Sequence, residues 1–409
     1  MGASLTRHVS RLAAAVTKTR KREATAVVVA ALLLLALQAL RVERLTIGHP
    51  LFAEPGWDHH AYRAMAQGNP FDFHLAPFGW RPLVPLLAKL SPAPLQGSFF
   101  VLTLAGLAVA ASATYATVAA DRGRQAGVVA LLCLFSLTWA VKFPLQDFWL
   151  PDAVAFAALA LATLAVVRKS DRGLLAALTI GVFAKEVVIF AAVLRYTLRA
   201  HRPVDLRSAK ETVLVALPAV VVLLALRVGI GAQNGDAAYV AGLSPTLREF
   251  ASYIPSYHYL DLLRDIGADR LQDTRRDTLL AYTTGTWGVP ILALVAIGAA
   301  ARPLLALRLA PFLVLVYAQL LFALNIERLL VAGFPAVVWL AAEGARAVAT
   351  AFRVPVAAFI PIPAALILLR LRDPANLFTG FEIETFVLIG GLAVPALWAT
   401  LANRREASP

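Results

Sequence analysis

Apolar residues run through this chain in long, nearly unbroken blocks, without the strict alternation of half-buried strands. The first covers 24–40. Others occupy roughly 98–120, 126–143, 152–167, 174–198, 211–229, 287–300, 303–324, 329–342, 353–369 and 384–401. A membrane span needs about 20 predominantly apolar residues. In lipid the backbone must satisfy its own hydrogen bonds, so such blocks predict helices. Several blocks fall short of that length and are expected to be short spans held within a bundle. The expected fold is all-α, a polytopic transmembrane helical bundle of about twelve crossings.

Charged residues between the blocks set the expected topology. Arg7, Arg11, Lys18, Arg20, Lys21 and Arg22 precede the first block, and Arg41, Glu43 and Arg44 follow it. The block is longer than a signal-peptide core, so an uncleaved first span is expected. The block 174–198 has basic clusters on both flanks and Lys185-Glu186 in its middle. A single crossing would leave a basic cluster on each side of the membrane. A hairpin of two short helices turning near Lys185-Glu186 keeps both on one side, as the positive-inside rule favours. The resulting arrangement puts 22 basic and seven acidic residues on the cytoplasmic side, and 15 basic and 17 acidic outside. It implies a basic cytoplasmic tail over 1–23, one transmembrane domain over 24–401 and a second cytoplasmic tail over 402–409. Long external loops fall at about 42–97 and 231–286.

Composition agrees: 59% of the residues are hydrophobic and only 15% are charged, with a mean hydropathy of +0.71. A net charge of +13 in a soluble protein would suggest nucleic acid. These charges are too sparse to track a phosphate backbone, and no nucleic-acid partner is expected. The excess is a topology signal. Cys133 is the one cysteine, so no intramolecular disulfide is possible. Abundant alanine and a large excess of arginine over lysine point to a GC-rich bacterial genome, and hence to a bacterial inner membrane.

The first external loop carries the best candidate chemistry. It reads Gly56-Trp57-Asp58-His59-His60-Ala61-Tyr62-Arg63, and later Ala76-Pro77-Phe78-Gly79-Trp80-Arg81-Pro82-Leu83-Val84-Pro85. Asp58, His59, Tyr62, Arg63 and Ala66 have the spacing of one helical face. A carboxylate just outside the lipid suits a general base for a sugar or lipid hydroxyl. Asp58 is equally placed to cap a helix beginning near Ala61. His59 and His60 could ligate a divalent cation with Asp58, but adjacent helical residues point about 100° apart. Metal dependence stays open.

An Asp just after the first span, a Tyr soon after it and the Trp80-Arg81-Pro82-Leu83-Val84-Pro85 segment resemble the GT-C glycosyltransferase superfamily. Ala184-Lys185-Glu186 and Asn325-Ile326-Glu327-Arg328-Leu329-Leu330, followed by Gly333-Phe334-Pro335, extend the resemblance. It implies a polytopic enzyme taking a sugar from a polyprenyl-phosphate donor on the external face, with inversion, onto a lipid, glycan or protein acceptor. Asp58 would then be the catalytic base. His59 stands where some members carry a second carboxylate. Asp152, opening a span after Pro151, is expected to join it, or else to cap that helix. Asp147 is expected to be a solvated loop residue. Lys185 and Glu186 are costly inside a membrane. Lys185 would hold the donor's phosphate, or the two would form an ion pair shaping the hairpin. Arg328 is a second phosphate candidate, unless Glu327 or lipid headgroups hold it. Arg81 has a similar role or is an interfacial anchor. His59, Tyr62 and Glu186 complete the substrate-binding candidates. In the second loop Leu247, Phe250, Ile254, Tyr257, Leu260 and Leu263 predict amphipathic helices on the membrane surface. Tyr253, Tyr257, His258 and Tyr259 there read as interface anchors, or else stack on a sugar or line the lipid groove, and the charges of 261–277 read as a solvated face.

The chain carries no phosphate-loop, Gly-x-Ser-x-Gly or His-Glu-x-x-His motif. ATP drive and those hydrolase chemistries therefore find no support. Two rival readings survive. One is a transporter or flippase of lipid-linked sugars, which would carry repeats and mid-bilayer polar groups. The other is a GT-C-like scaffold without catalysis.

Overall fold

The computed structural model describes residues 2–253 apart from 56, 201 and 203, and then residues 276–321, 326–372 and 380–406. No strand occurs among them. The helices are α1 (Gly2–Arg41), α2 (His59–Gln67), α3 (Leu83–Leu90), α4 (Leu95–Arg122), α5 (Arg124–Ser136), α6 (Phe143–Gln146), α7 (Asp152–Val167), α8 (Asp171–Val182), α9 (Ala192–Arg199) and α10 (Leu206–Ile230). There follow α11 (Ala237–Ala241), α12 (Pro245–Tyr253), α13 (Arg276–Trp287), α14 (Val289–Ala301), α15 (Pro303–Ala318), α16 (Ile326–Leu330), α17 (Phe334–Phe352), α18 (Pro361–Arg372) and α19 (Phe381–Glu406).

Five segments among the described residues are long and apolar enough to cross a membrane: Arg22–Arg41, Leu95–Arg122, Leu206–Ile230, Pro303–Leu321 and Ile326–Phe352. Two bent pairs raise the number to seven. The chain turns by 73° between Arg124–Ser136 and Thr138–Gln146, and by 98° between Leu279–Trp287 and Val289–Ala301. The apolar block 126–143 therefore does not run straight, and the block 287–300 begins at a bend. The first bend falls at Leu137, whose backbone is extended between α5 and a π-helical turn over Thr138–Lys142, and the second at Gly288, with φ of +80°.

Burial divides the helices into inner and outer. The apolar window of Ile326–Phe352 is 94% buried, that of α10 only 17%. Helices α4, α5, α7 and α17 form an alanine-rich core, and small residues let them approach closely. A Cβ on Gly106 of α4 would lie 2.7 Å from the Ala153 backbone of α7. Gly298 of α14 and Gly344 of α17 face the backbones of Leu340 and Leu294, with no room for a methyl group.

The block 174–198 folds back on itself as its charges require. Helix α8 starts at a Ser170 cap whose hydroxyl accepts from Gly173 N at 3.2 Å. The chain turns through Phe183–Lys185, and a 3-10 turn over Glu186–Ala191 leads into α9. Arg195 of α9 returns to Asp171 at the start of α8, with bonds of 3.0 and 2.9 Å. Arg199 reaches Asp171 and the carbonyls of Ala165 and Val166. Both basic clusters thus lie at one end of the bundle. Other residues assigned to that side meet there too. Glu343 is fully buried under Arg122, Arg302 and Arg346, and Arg302 also holds Asp121 at 2.7 Å.

At the opposite end the first long loop packs as a small layer of its own. Phe52, Tyr62, Met65, Phe73, Phe78, Phe99, Phe148 and Trp149 form its core. Leu247 and Ala251 of α12 are buried in this same cluster. Leu247, one of the residues expected on a membrane-surface helix, is thus covered by protein. Ile254, Tyr257, His258, Tyr259, Leu260, Leu263 and the charges of 261–275 lie outside the described residues.

Candidate active site

Four separate segments bring the site together. Asp58 sits at the start of α2, Asp152 at the start of α7, Lys185 and Glu186 in the turn of the hairpin, and Arg328 in α16. Asp152 follows Pro151, which starts the helix without an N–H to lose. Its side chain serves the site. Lys185 Nζ donates to its Oδ1 at 2.5 Å, and Arg328 donates to its Oδ2 from Nε at 3.0 Å and Nη2 at 2.7 Å. Nη1 of the same guanidinium contacts Asp58 Oδ2. Asp58 holds the helix-capping position but makes no capping hydrogen bond, so its carboxylate belongs to Arg328. Phe143 of α6 lies beneath, its ring centre 5.9 Å from the Arg328 Cζ.

A second pair adjoins the first through the hairpin turn. Arg81 forks onto Glu186, with Nε to Oε2 at 2.9 Å and Nη2 to Oε1 at 2.5 Å. Its Nη1 donates to the Tyr62 hydroxyl at 3.2 Å. Arg81 is therefore no simple interfacial anchor. Lys185 and Glu186 do not pair with each other, since each has its own partner across the site. Nor does Glu327 hold Arg328; Asp58 and Asp152 do. Asn325 lies outside the described residues.

Three cations (Arg81, Lys185, Arg328) thus face three carboxylates (Asp58, Asp152, Glu186). Nearly all are buried. The Asp152 side chain is 1% exposed, Lys185 4% and Arg328 6%, whereas Asp58 is 18% exposed. A buried charge persists only when paired and hydrogen-bonded, which this network achieves. Asp58 and Glu186 are its outlets to the surface. Behind them burial pushes the Tyr62 hydroxyl up to about 12, against the pull of Arg81, so it stays a neutral phenol.

His59 is not among the groups that face outward. It is fully buried, stacked on Phe52 with ring centres 4.5 Å apart, and its Nε2 lies 3.3 Å from the Phe52 carbonyl. Its Nδ1 faces Asp147 at 3.8 Å. Asp147 is a correction to the sequence reading, being 1% exposed instead of solvated. Its neighbours explain why. Trp149 Nε1 donates to the Leu45 carbonyl at 2.8 Å, and Thr103 Oγ1 to the Phe148 carbonyl at 3.0 Å. These bonds fasten the 146–150 loop inside the aromatic layer. The signal in the sequence was Phe148-Trp149 directly after the aspartate, which argues against a solvated loop. His60 is half-buried beside His59, and burial first, then that neighbour, lowers its pKa. Among the described residues no three His, Cys, Asp or Glu side chains gather in a metal-holding group.

Fold and site together define a polytopic α-helical membrane protein with a buried ion-pair cluster at its loop-bearing end. No protein-family model and no curated protein matches the chain. Among solved structures it is similar to ArnT from Cupriavidus metallidurans in the apo state, at 14% identity and a TM-score of 0.49, over 93% of this chain and 77% of that one. The same protein bound to undecaprenyl phosphate gives 13% identity and a TM-score of 0.47, over 94% and 78%. The Archaeoglobus fulgidus oligosaccharyltransferase, tethered to an acceptor peptide, gives 13% identity and a TM-score of 0.44, over 91% and 54%.

Proposed function

We propose that this chain is an integral membrane glycosyltransferase that moves a sugar from a polyprenyl-phosphate donor to a hydroxyl acceptor on the extracytoplasmic face. One observation carries the reading: Asp58, the carboxylate placed by the resemblance as base, reaches the surface while the cations behind it are buried. A base must meet its substrate, and cations that bind a phosphate gain strength where water is excluded. Asp58 takes the proton of the acceptor hydroxyl as its oxygen attacks the anomeric carbon. The bond from that carbon to the phosphate oxygen breaks, and polyprenyl phosphate leaves. A single displacement of this kind inverts the anomeric centre. Arg328, with its fork geometry, and Lys185 stabilise the charge that grows on the leaving phosphate. Asp152 positions both cations without reaching the surface. Arg81, itself held by the Tyr62 hydroxyl, fixes Glu186 at the rim, where it can accept from a sugar hydroxyl.

The test is direct assay of purified protein with a panel of labelled polyprenyl-phosphate sugars, guided by lipid and surface-glycan profiles of a deletion strain. The reading requires sugar loss from at least one donor with release of polyprenyl phosphate. Translocation of an intact lipid-linked sugar, with no bond broken, would replace it by the transporter reading.

A further inference from the structure

Behind the site, His59 and Asp147 form a couple that the proposed reaction does not use. His59 Nε2 lies at the Phe52 carbonyl, 3.3 Å away. A carbonyl oxygen can only accept, so Nε2 carries a proton. In a neutral ring Nδ1 is then a bare lone pair. It faces a carboxylate at 3.8 Å. The Asp147 oxygen nearest to it is Oδ2; Nδ1 and the other oxygen of that carboxyl, Oδ1, have no hydrogen-bond partner and are sealed from solvent. Two acceptors facing each other inside an aromatic layer are a costly arrangement. One proton removes the conflict, and in a dry site a neutral acid–imidazole pair is favoured over separated charges.

We propose that Asp147 is a protonated carboxyl hydrogen-bonded to His59 Nδ1, a positioning residue that keeps the charge beside Arg328 balanced. Burial pushes the Asp147 carboxyl upward, while His59 and Arg328 pull it down and Asp58 adds to the rise. The other charged or titratable neighbours are His60, whose ring centre is 4.2 Å from that of His59, and Arg63, which lies over Phe52. With Asp147 neutral, three carboxylates balance three cations. With Asp147 ionised, a fourth carboxylate competes for Arg328 against an incoming donor phosphate. This consequence for the donor rests on the proposed role of Arg328; the proton itself does not.

The sign of the pH effect follows. Raising the pH strips the proton, adds a negative charge beside the phosphate site and raises the donor KM. At an effective dielectric near 20, a unit charge about 10 Å from the phosphate gives a rise of about tenfold. The turnover number moves less, because Asp147 touches no reacting atom.

Infrared spectroscopy of the full-length protein reads the proton without any substrate. At neutral pH the carboxylic-acid C=O stretch should show one component that disappears in Asp147→Asn. In His59→Asn that component should shift as its acceptor changes, and it should still titrate away at alkaline pH. Identical wild-type and Asp147→Asn spectra in this region would overturn the proposal. So would a band insensitive to His59→Asn. The pH profile of donor KM is the second arm: an alkaline rise in wild type and a flat profile in Asp147→Asn support the charge-setting role. If the band is present but KM does not vary with pH, the proton stands, and the placement of donor phosphate at Arg328 is overturned.

Discussion

The Lys185–Asp152 contact is the most deeply buried ion pair of the site, and removing it one partner at a time gives a quantitative expectation. Asp152 is held by three donors, one from Lys185 on Oδ1 and two from Arg328 on Oδ2. Lys185→Met keeps the length of the side chain and deletes its charge. Removing one partner of a buried pair typically costs about 3–5 kcal/mol. Here the Arg328 bonds persist on the other oxygen, so the expected cost is nearer ~2–3 kcal/mol. Asp152→Asn leaves Lys185 and Arg328 facing an amide and should cost at least as much. In the double variant neither lysine nor aspartate is left unpaired, so its cost should fall below the sum by roughly 1.5–3 kcal/mol. SDS titration of detergent-solubilised protein, followed by loss of helical circular dichroism, measures all three. Additivity within about 0.5 kcal/mol would show that the two side chains do not meet and would refute the site geometry.

Two further predictions concern the scaffold. With Cys133 buried, single cysteines introduced at Ser170 and Arg202 should react with a membrane-impermeant thiol reagent from the same side, and one at Glu54 from the other. Labelling of Ser170→Cys and Arg202→Cys from opposite sides would exclude the hairpin. Gly344→Ala drives a methyl group into the Leu294 backbone and should destabilise the protein by about 1–3 kcal/mol in the same SDS titration. An unchanged midpoint would mean that α14 and α17 do not pack as described.

The parts of this protein legible in its sequence are those set by local chemistry. Apolar blocks gave the helical bundle, and basic flanks around Lys185-Glu186 gave the hairpin whose ends Arg195 and Asp171 now join. Asp58, Asp152, Lys185 and Arg328 were each conspicuous as ionisable residues beside apolar runs. Their pairing was hidden, because Arg328 meets partners 176 and 270 positions away. No local pattern encodes such contacts. The same reason hid Asp147, whose burial depends on the aromatic layer contributed by the first loop. The 73° bend was missed because a continuous apolar block looks alike whether its helix is straight or broken. The apolar face of α12 was visible as an amphipathic pattern, but a pattern does not say whether lipid or protein covers it.

The central claim, that Asp58 is the base of a glycosyl transfer, is tested most directly by comparing wild type with Asp58→Asn in a purified transfer assay with a competent polyprenyl-phosphate sugar. Asparagine keeps the volume and can still meet Arg328, but it cannot take a proton. Loss of a positioned general base lowers turnover by about 10²–10⁴-fold. The account predicts a fall in that range, with the SDS unfolding midpoint of the variant close to wild type. Turnover within a few-fold of wild type would contradict it.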